Sequence, residues 1–232
     1  AAVLEAAPAV LVVGDVVPDH AARAVADRLA DACAGQAPPA GPRPPWPAGP
    51  REQAEQRRKA QTALVLGFPG PDRGDPSVYA AQVLANVLSG LGGRLFEELR
   101  GRRPLAYTVA AYPIVRWRAG AFVAYIATAP DREEEARRGL LESFDRLASE
   151  PVGGDELERA RRYTIGARTI RSQTNAARLA ELAEALLLGR GIAELREYEA
   201  RIRAVTPAAI RALAERCFDP DRLVAGVVRG TG

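Results

Sequence analysis

The chain has 232 residues, 47% hydrophobic and 26% charged, a balance that builds an ordinary globular core and excludes a disordered chain. Thirty-two basic against 29 acidic residues leave a net charge of +3, and the acids are interleaved with the arginines as on solvated faces, without the segregated basic excess of a nucleic-acid binder. His20 is the only histidine and no apolar run approaches the roughly 18 residues of a bilayer span, so neither an integral membrane protein nor a zinc site needing two histidines, HExxH or HxxEH included, fits this chain.

Val10–Val17, VLVVGDVV, is β-branched and predicts a buried strand, and Pro18 and Asp19 open a helix with Val25, Leu29 and Ala32 on one face. Residues 36–50, QAPPAGPRPPWPAGP, exclude helix and central strand, because proline locks φ and lacks a donor. A Pro-rich linker or loop over 36–58 therefore separates an opening strand and helix, 1–35, from the remainder, 59–232, of one domain.

Gln61–Pro69 reads as the next strand, and Asp75 with Pro76 as the start of a helix over Ser77–Ser89. Gly90, Gly92 and Gly93 break that helix, and a short one over Arg94–Arg100 follows. Leu105–Val115 and Gly120–Thr128 form a hairpin pair. Asp131 with Glu134, and Asp155 with Glu158, have capping-box spacing and open two helices. A further helix carries Leu179, Leu182, Leu186 and Leu187, Thr206 and Pro207 start the last one, and Leu223–Val228 is a final strand. Single strands and a hairpin among helices predict a two-layer α+β sandwich, a mixed or antiparallel sheet with helices packed on one face.

Cys33 and Cys217 have neither CxxC spacing nor the density of a disulfide framework, and read as two small buried side chains. The chain lacks methionine and its first residues, AAVLEAAP, lack the regions of a signal peptide. It reads as a segment of a longer polypeptide, with a processed mature form as the alternative.

Leu88–Tyr107, LSGLGGRLFEELRGRRPLAY, is where chemistry concentrates. Its glycines before a helix match neither GxxxxGK[ST] nor GxGxxG, which leaves a phosphate loop a weak reading. The bland alternative is that the glycines let two helices meet tightly, with Arg100 and Arg102 at a helix C-terminus. Glu97 and Glu98 are neighbours that point apart, so they are not a paired-carboxylate site. Glu133–Glu135 and the Arg159, Arg161, Arg162 cluster read as solvated faces, and Trp46 and Trp117 as packing or linker anchors.

GLGGRLFEELRGRRPLAYTVAA resembles the signature of the C-terminal, zinc-free domain of the pitrilysin/insulinase family of zinc metallopeptidases, which includes mitochondrial processing peptidase. VLVVGDVVPDHAARAV, ALVLGFPGPDRGDPSVYAAQVLANVLSG, PVGGDELERARRYTIGARTI and IRAVTPAAIRALAERCFDPDRLVAGVV are similar to further blocks of that domain, in order and over more than 200 residues. The resemblance implies that zinc sits on an N-terminal companion domain or partner subunit, on an HxxEH motif absent here, so this chain alone is inactive. It implies a peptide substrate, with Arg100 binding its carbonyls and Tyr107 both binding it and donating a catalytic, transition-state hydrogen bond. Where the family reads KRGLAY this chain reads RRPLAY, and Pro104 replaces a glycine. A homo- or heterodimer is compatible with the resemblance, as is a non-catalytic scaffold of the same fold. Neither nucleic acid nor membrane is an expected partner, and cytoplasm and periplasm both suit two isolated cysteines.

Overall fold

Among the described residues, five strands, β1 (Arg51–Arg57), β2 (Thr62–Pro69), β3 (Ala106–Val115), β4 (Gly120–Thr128) and β5 (Val224–Gly230), form one mixed sheet in the order β1-β5-β2-β4-β3. Only β1 and β5 run parallel; the other neighbours are antiparallel. This computed structural model describes residues 9–29, 41–90, 92–187 and 191–231. They divide into two compact units, one of Arg43–Gly166 with Glu199–Gly232, which contains the sheet, and one of Ala167–Tyr198 with the described part of the segment up to Pro42.

Strand alternation makes one face of the sheet apolar and covers it. Leu64, Leu66 and Phe68 on β2 stand in register with Ile126, Ala124 and Phe122 on β4, and Leu64 and Leu66 with Val227 and Ala225 on β5. All are buried. Helices α2 (Val78–Leu88), α4 (Glu133–Ser149) and α8 (Pro207–Cys217) pack together over this layer. Phe218 is the aromatic hub, stacked on Phe144 at 4.5 Å and edge-on to Phe68 and Phe122 at 5.3 Å. Each such pair adds about 0.5–1.5 kcal/mol beyond its burial. On the opposite face, Val65 and Tyr112 stay 36% and 44% exposed. This is the expected two-layer α+β arrangement.

The second unit contains α1 (Pro18–Leu29), the end of α5 (Gly154–Arg171), α6 (Asn175–Leu187) and the start of α7 (Gly191–Arg203). Arg168 joins its helices: Nε and Nη2 donate to Glu181 at 3.2 and 3.0 Å, and the guanidinium lies 4.1 Å from the Tyr198 ring centre. Helix α1 buries none of its residues.

Several elements differ from expectation. Val10–Val17 is not a strand: Val10, Val12, Val16 and Val17 are exposed and no residue of the run has a ladder partner, and β-branching alone makes no strand without one. The linker expected over 36–58 is irregular over its described part, 41–50, and then ends, because Arg51–Arg57 pairs with β5 as a fully exposed edge strand. Trp46 anchors the irregular stretch, its Nε1 donating to the Arg222 carbonyl at 2.8 Å.

Helix starts shift by a few residues. Ser77 occupies the N-cap of α2, and Asp75 Oδ1 accepts from its N–H and hydroxyl one turn earlier. Neither capping box forms. A 3-10 turn at Pro130–Arg132 displaces Asp131 from the cap, and Asp155 lies inside the first turn of α5. Thr206 caps α8 as read, accepting from the Ala209 N–H at 3.1 Å. Helix α7 was not anticipated, although Leu195 and Ile202 keep helical spacing and Ile202 is buried. Cys217 is free and buried, and burial pushes its thiol pKa up against the pull of Arg216; Cys33 lies outside the described residues.

Candidate functional site

The site is built where α2 ends and the chain turns back into β3. Gly93 makes the turn possible, since a Cβ there would run into the carbonyls of Leu88 and Ser89. Tight meeting of two helical segments is therefore the role of that glycine, as the bland reading held. Helix α3 (Arg94–Phe96) follows and widens at once into a π-helical turn over Glu97–Arg102. Such turns are rare and gather at functional sites. Leu95 and Leu99 are fully buried and fix the inner side of the segment. Gly139 on α4 lets Leu99 in, because a Cβ there would stand 2.5 Å from Leu99 Cδ2.

Glu98 and Glu97 diverge as expected, Glu97 exposed and Glu98 8% exposed. Glu98 is ringed by Arg103 at 3.0 Å, Arg102 at 3.4 Å and Arg146 at 3.6 Å. This ion-pair cluster ties the π turn to α4, and its buried carboxylate is matched by three cations. Arg94 is fixed in turn by a two-point contact with Glu156 at 2.7 and 2.8 Å.

These anchors leave Arg100 on the outer side. Its guanidinium carbon lies 4.7 Å from the Phe96 ring centre and 4.8 Å from the Tyr107 ring centre, and its Nη1 donates to the Tyr107 carbonyl at 3.3 Å. The two residues singled out seven positions apart thus meet. Pro104 does not prevent it. The Leu105 N–H bonds the Leu99 carbonyl at 2.9 Å and Arg132 donates to the Pro104 carbonyl at 3.0 Å, so the turn is fixed on both sides of the proline.

Tyr107 owes its position to a β-bulge. Ala106 pairs with Thr128 and Thr108 with Ala127, so Tyr107 is the extra residue of β3. A bulge releases its residue from the ladder and re-aims its side chain. Tyr107 is accordingly 76% exposed, not packed in a core strand. Ser89 braces the strand further along: its hydroxyl oxygen lies 2.9 Å from the Ala111 carbonyl, to which it donates, and it also accepts from the Ala111 N–H.

Sequence reasoning missed Phe96, Ser89, Thr128 and the bulge itself. Phe96, one helical turn before Arg100, was the legible signal; the others need the register of β3. Among the described residues no group of three or more His, Cys, Asp or Glu could hold a metal ion.

The profile of the peptidase M16 inactive domain matches residues 7–163. The chain belongs to this family. It is the inactive, C-terminal domain of an M16 zinc protease family member, in agreement with the motifs read above. It is 30% identical over 179 residues to an uncharacterized zinc protease of Streptomyces coelicolor, covering 77% of this chain and 39% of that protein. The chain thus spans well under half the length of that relative.

Among solved structures, the peptidase M16 inactive domain from Pseudomonas fluorescens superposes with a TM-score of 0.83 at 23% identity, over 94% of this chain and 53% of that one. A chain of Complex III2 from Candida albicans does so with a TM-score of 0.68 at 16% identity, over 78% and 45%. At these identities the two likenesses establish the M16 fold alone. Among the described residues of this family member, no helix is long and apolar enough to cross a membrane.

Proposed function

We propose that this M16 domain supplies Arg100 and Tyr107 to an extended peptide cleaved at a zinc site on a companion domain or partner subunit. One observation carries the reading: a bulge on β3 presents Tyr107, 76% exposed, against the guanidinium of Arg100. The name of the Streptomyces coelicolor relative, a zinc protease, supports the peptidase context. Arg100 binds backbone carbonyls of the peptide through its remaining N–H donors. Tyr107 donates its phenol O–H to the oxyanion that develops at the scissile carbonyl, an interaction worth roughly 2.7–4 kcal/mol in comparable sites. The open sheet face around Val65, Tyr112 and Tyr125 forms a wall of the chamber in which the peptide lies.

A scaffold role is the second reading, favoured by the likeness to a chain of Complex III2. The two are separated by assaying the chain alone and together with its companion. The peptidase reading predicts no zinc and no cleavage by the 232-residue chain alone, and cleavage by the assembly that falls when Arg100 becomes alanine. Chelator-sensitive cleavage by the isolated chain overturns it. An assembly that cleaves nothing, or that cleaves equally well with Arg100→Ala, favours the scaffold.

A further inference from the structure

We infer that Thr128 is the positioning residue for Tyr107, acting through the β-bulge; the inference rests on the role proposed for Tyr107. Thr128 closes β4 directly opposite Ala106, at the last regular pair before the slip. It is 1% exposed, and its Oγ1 donates to the Leu105 carbonyl at 2.7 Å. That bond lies inside the protein, where a hydroxyl and a carbonyl must satisfy each other.

Its place in the chain gives the bond its consequence. Leu105 is the second residue before Tyr107, and its N–H is already bonded to the Leu99 carbonyl at 2.9 Å. Leu99 belongs to the π turn that carries Arg100. Leu105 is therefore fixed by its N–H to the segment of Arg100 and by its carbonyl to β4. Beyond it the ladder slips and Tyr107 is set free. With the Thr128 hydroxyl removed, the Leu105 carbonyl loses its donor at the point where the bulge begins. The strand can then slide towards regular pairing, which would rotate Tyr107 away from Arg100.

Thr128 itself is held. It stands opposite Thr62 on β2, whose Oγ1 accepts from the Gly230 N–H at 3.2 Å. The buried end of the sheet thus has two threonines in register, one fixing the end of β5 and one the start of the bulge.

The test uses the full-length protein with its zinc-bearing companion, labelled with 3-fluorotyrosine. The Tyr107 fluorine resonance is assigned by its loss in Tyr107→Phe. Thr128→Val keeps the shape and removes the hydroxyl. We expect it to shift the Tyr107 resonance while leaving that of exposed Tyr163 in place, and to lower kcat roughly 10- to 100-fold with KM little changed. Thr128→Ser restores both; if Thr128→Val does not fold, Thr128→Ala carries the same expectation.

A Tyr107 resonance and kcat unchanged by Thr128→Val overturn the inference, as does Thr128→Ser behaving like Thr128→Val. If Tyr107→Phe keeps full activity while Thr128→Val still moves the resonance, the role proposed for Tyr107 fails and the positioning by Thr128 stands.

Discussion

The guanidinium of Arg100 lies 4.8 Å from the centre of the Tyr107 ring and donates to the Tyr107 carbonyl at 3.3 Å. Arg100 therefore contacts both the ring and the backbone of its neighbour. With Phe96 at 4.7 Å from the same guanidinium, the cation is in contact with two rings.

A lysine cannot reproduce that geometry, because an ammonium is a compact charge without a plane. A hydrogen bond from a charged donor is worth about 1.5–3 kcal/mol, so losing one guanidinium bond to the peptide lowers kcat/KM roughly 10- to 150-fold. Arg100→Lys in the assembled protein should show this loss, with the melting temperature slightly lowered by the weakened ring contacts. Equal kcat/KM would mean that charge alone suffices at this position.

Gly120, at the start of β4, admits no side chain, since a Cβ there would fall within the backbone of Gly70 and Pro71. Gly120→Ala should therefore destabilise the domain by roughly 1–3 kcal/mol or more, as overpacking against fixed atoms does. Gly166, within α5, meets nothing within 4 Å. Gly166→Ala should stabilise by roughly 0.5–1 kcal/mol through helix propensity. Urea unfolding of both variants gives the two signs; a Gly120→Ala variant as stable as the wild type would contradict the close approach at Gly120.

Asp75 links the entry of α2 to the end of α8. Burial pushes its pKa up, but the hydrogen bonds from Ser77 and the Arg216 guanidinium at 2.9 Å outweigh it and hold the carboxyl below the usual aspartate range. A depressed folded pKa gives stability that is complete above the unfolded value, near ~3.9, and is lost as pH falls through the folded one. The stability gap between wild type and Asp75→Asn should be flat from about pH 5 to 8 and shrink below about pH 4. Urea midpoints across that range measure it, and a gap that grows on acidification would reverse the sign.

The hairpin of β3 and β4, β2, and the stop of α2 before Gly90 were legible in the sequence because each rests on local chemistry. Alternation gave the strands, and glycine and proline gave their ends. Arg100 and Tyr107 were legible through the family motif, and the fold brings them together. Three things were not legible, for physical reasons. The bulge that exposes Tyr107 is a property of the register between β3 and β4, which no stretch of β3 contains by itself. Strand β1, REQAEQR, has no apolar alternation because all its residues are exposed, and only pairing with β5 makes it a strand. Conversely, Val10–Val17 has every local mark of a strand and lacks the neighbour.

The most direct test is to measure kcat and KM of the assembled, zinc-loaded protein with Tyr107→Phe, a change that removes one hydroxyl from an exposed ring. A transition-state donor predicts a fall in kcat of roughly 100- to 1,000-fold, with KM nearly constant and the melting temperature unchanged. An assembly that turns over peptide at the wild-type rate without this hydroxyl would contradict the account.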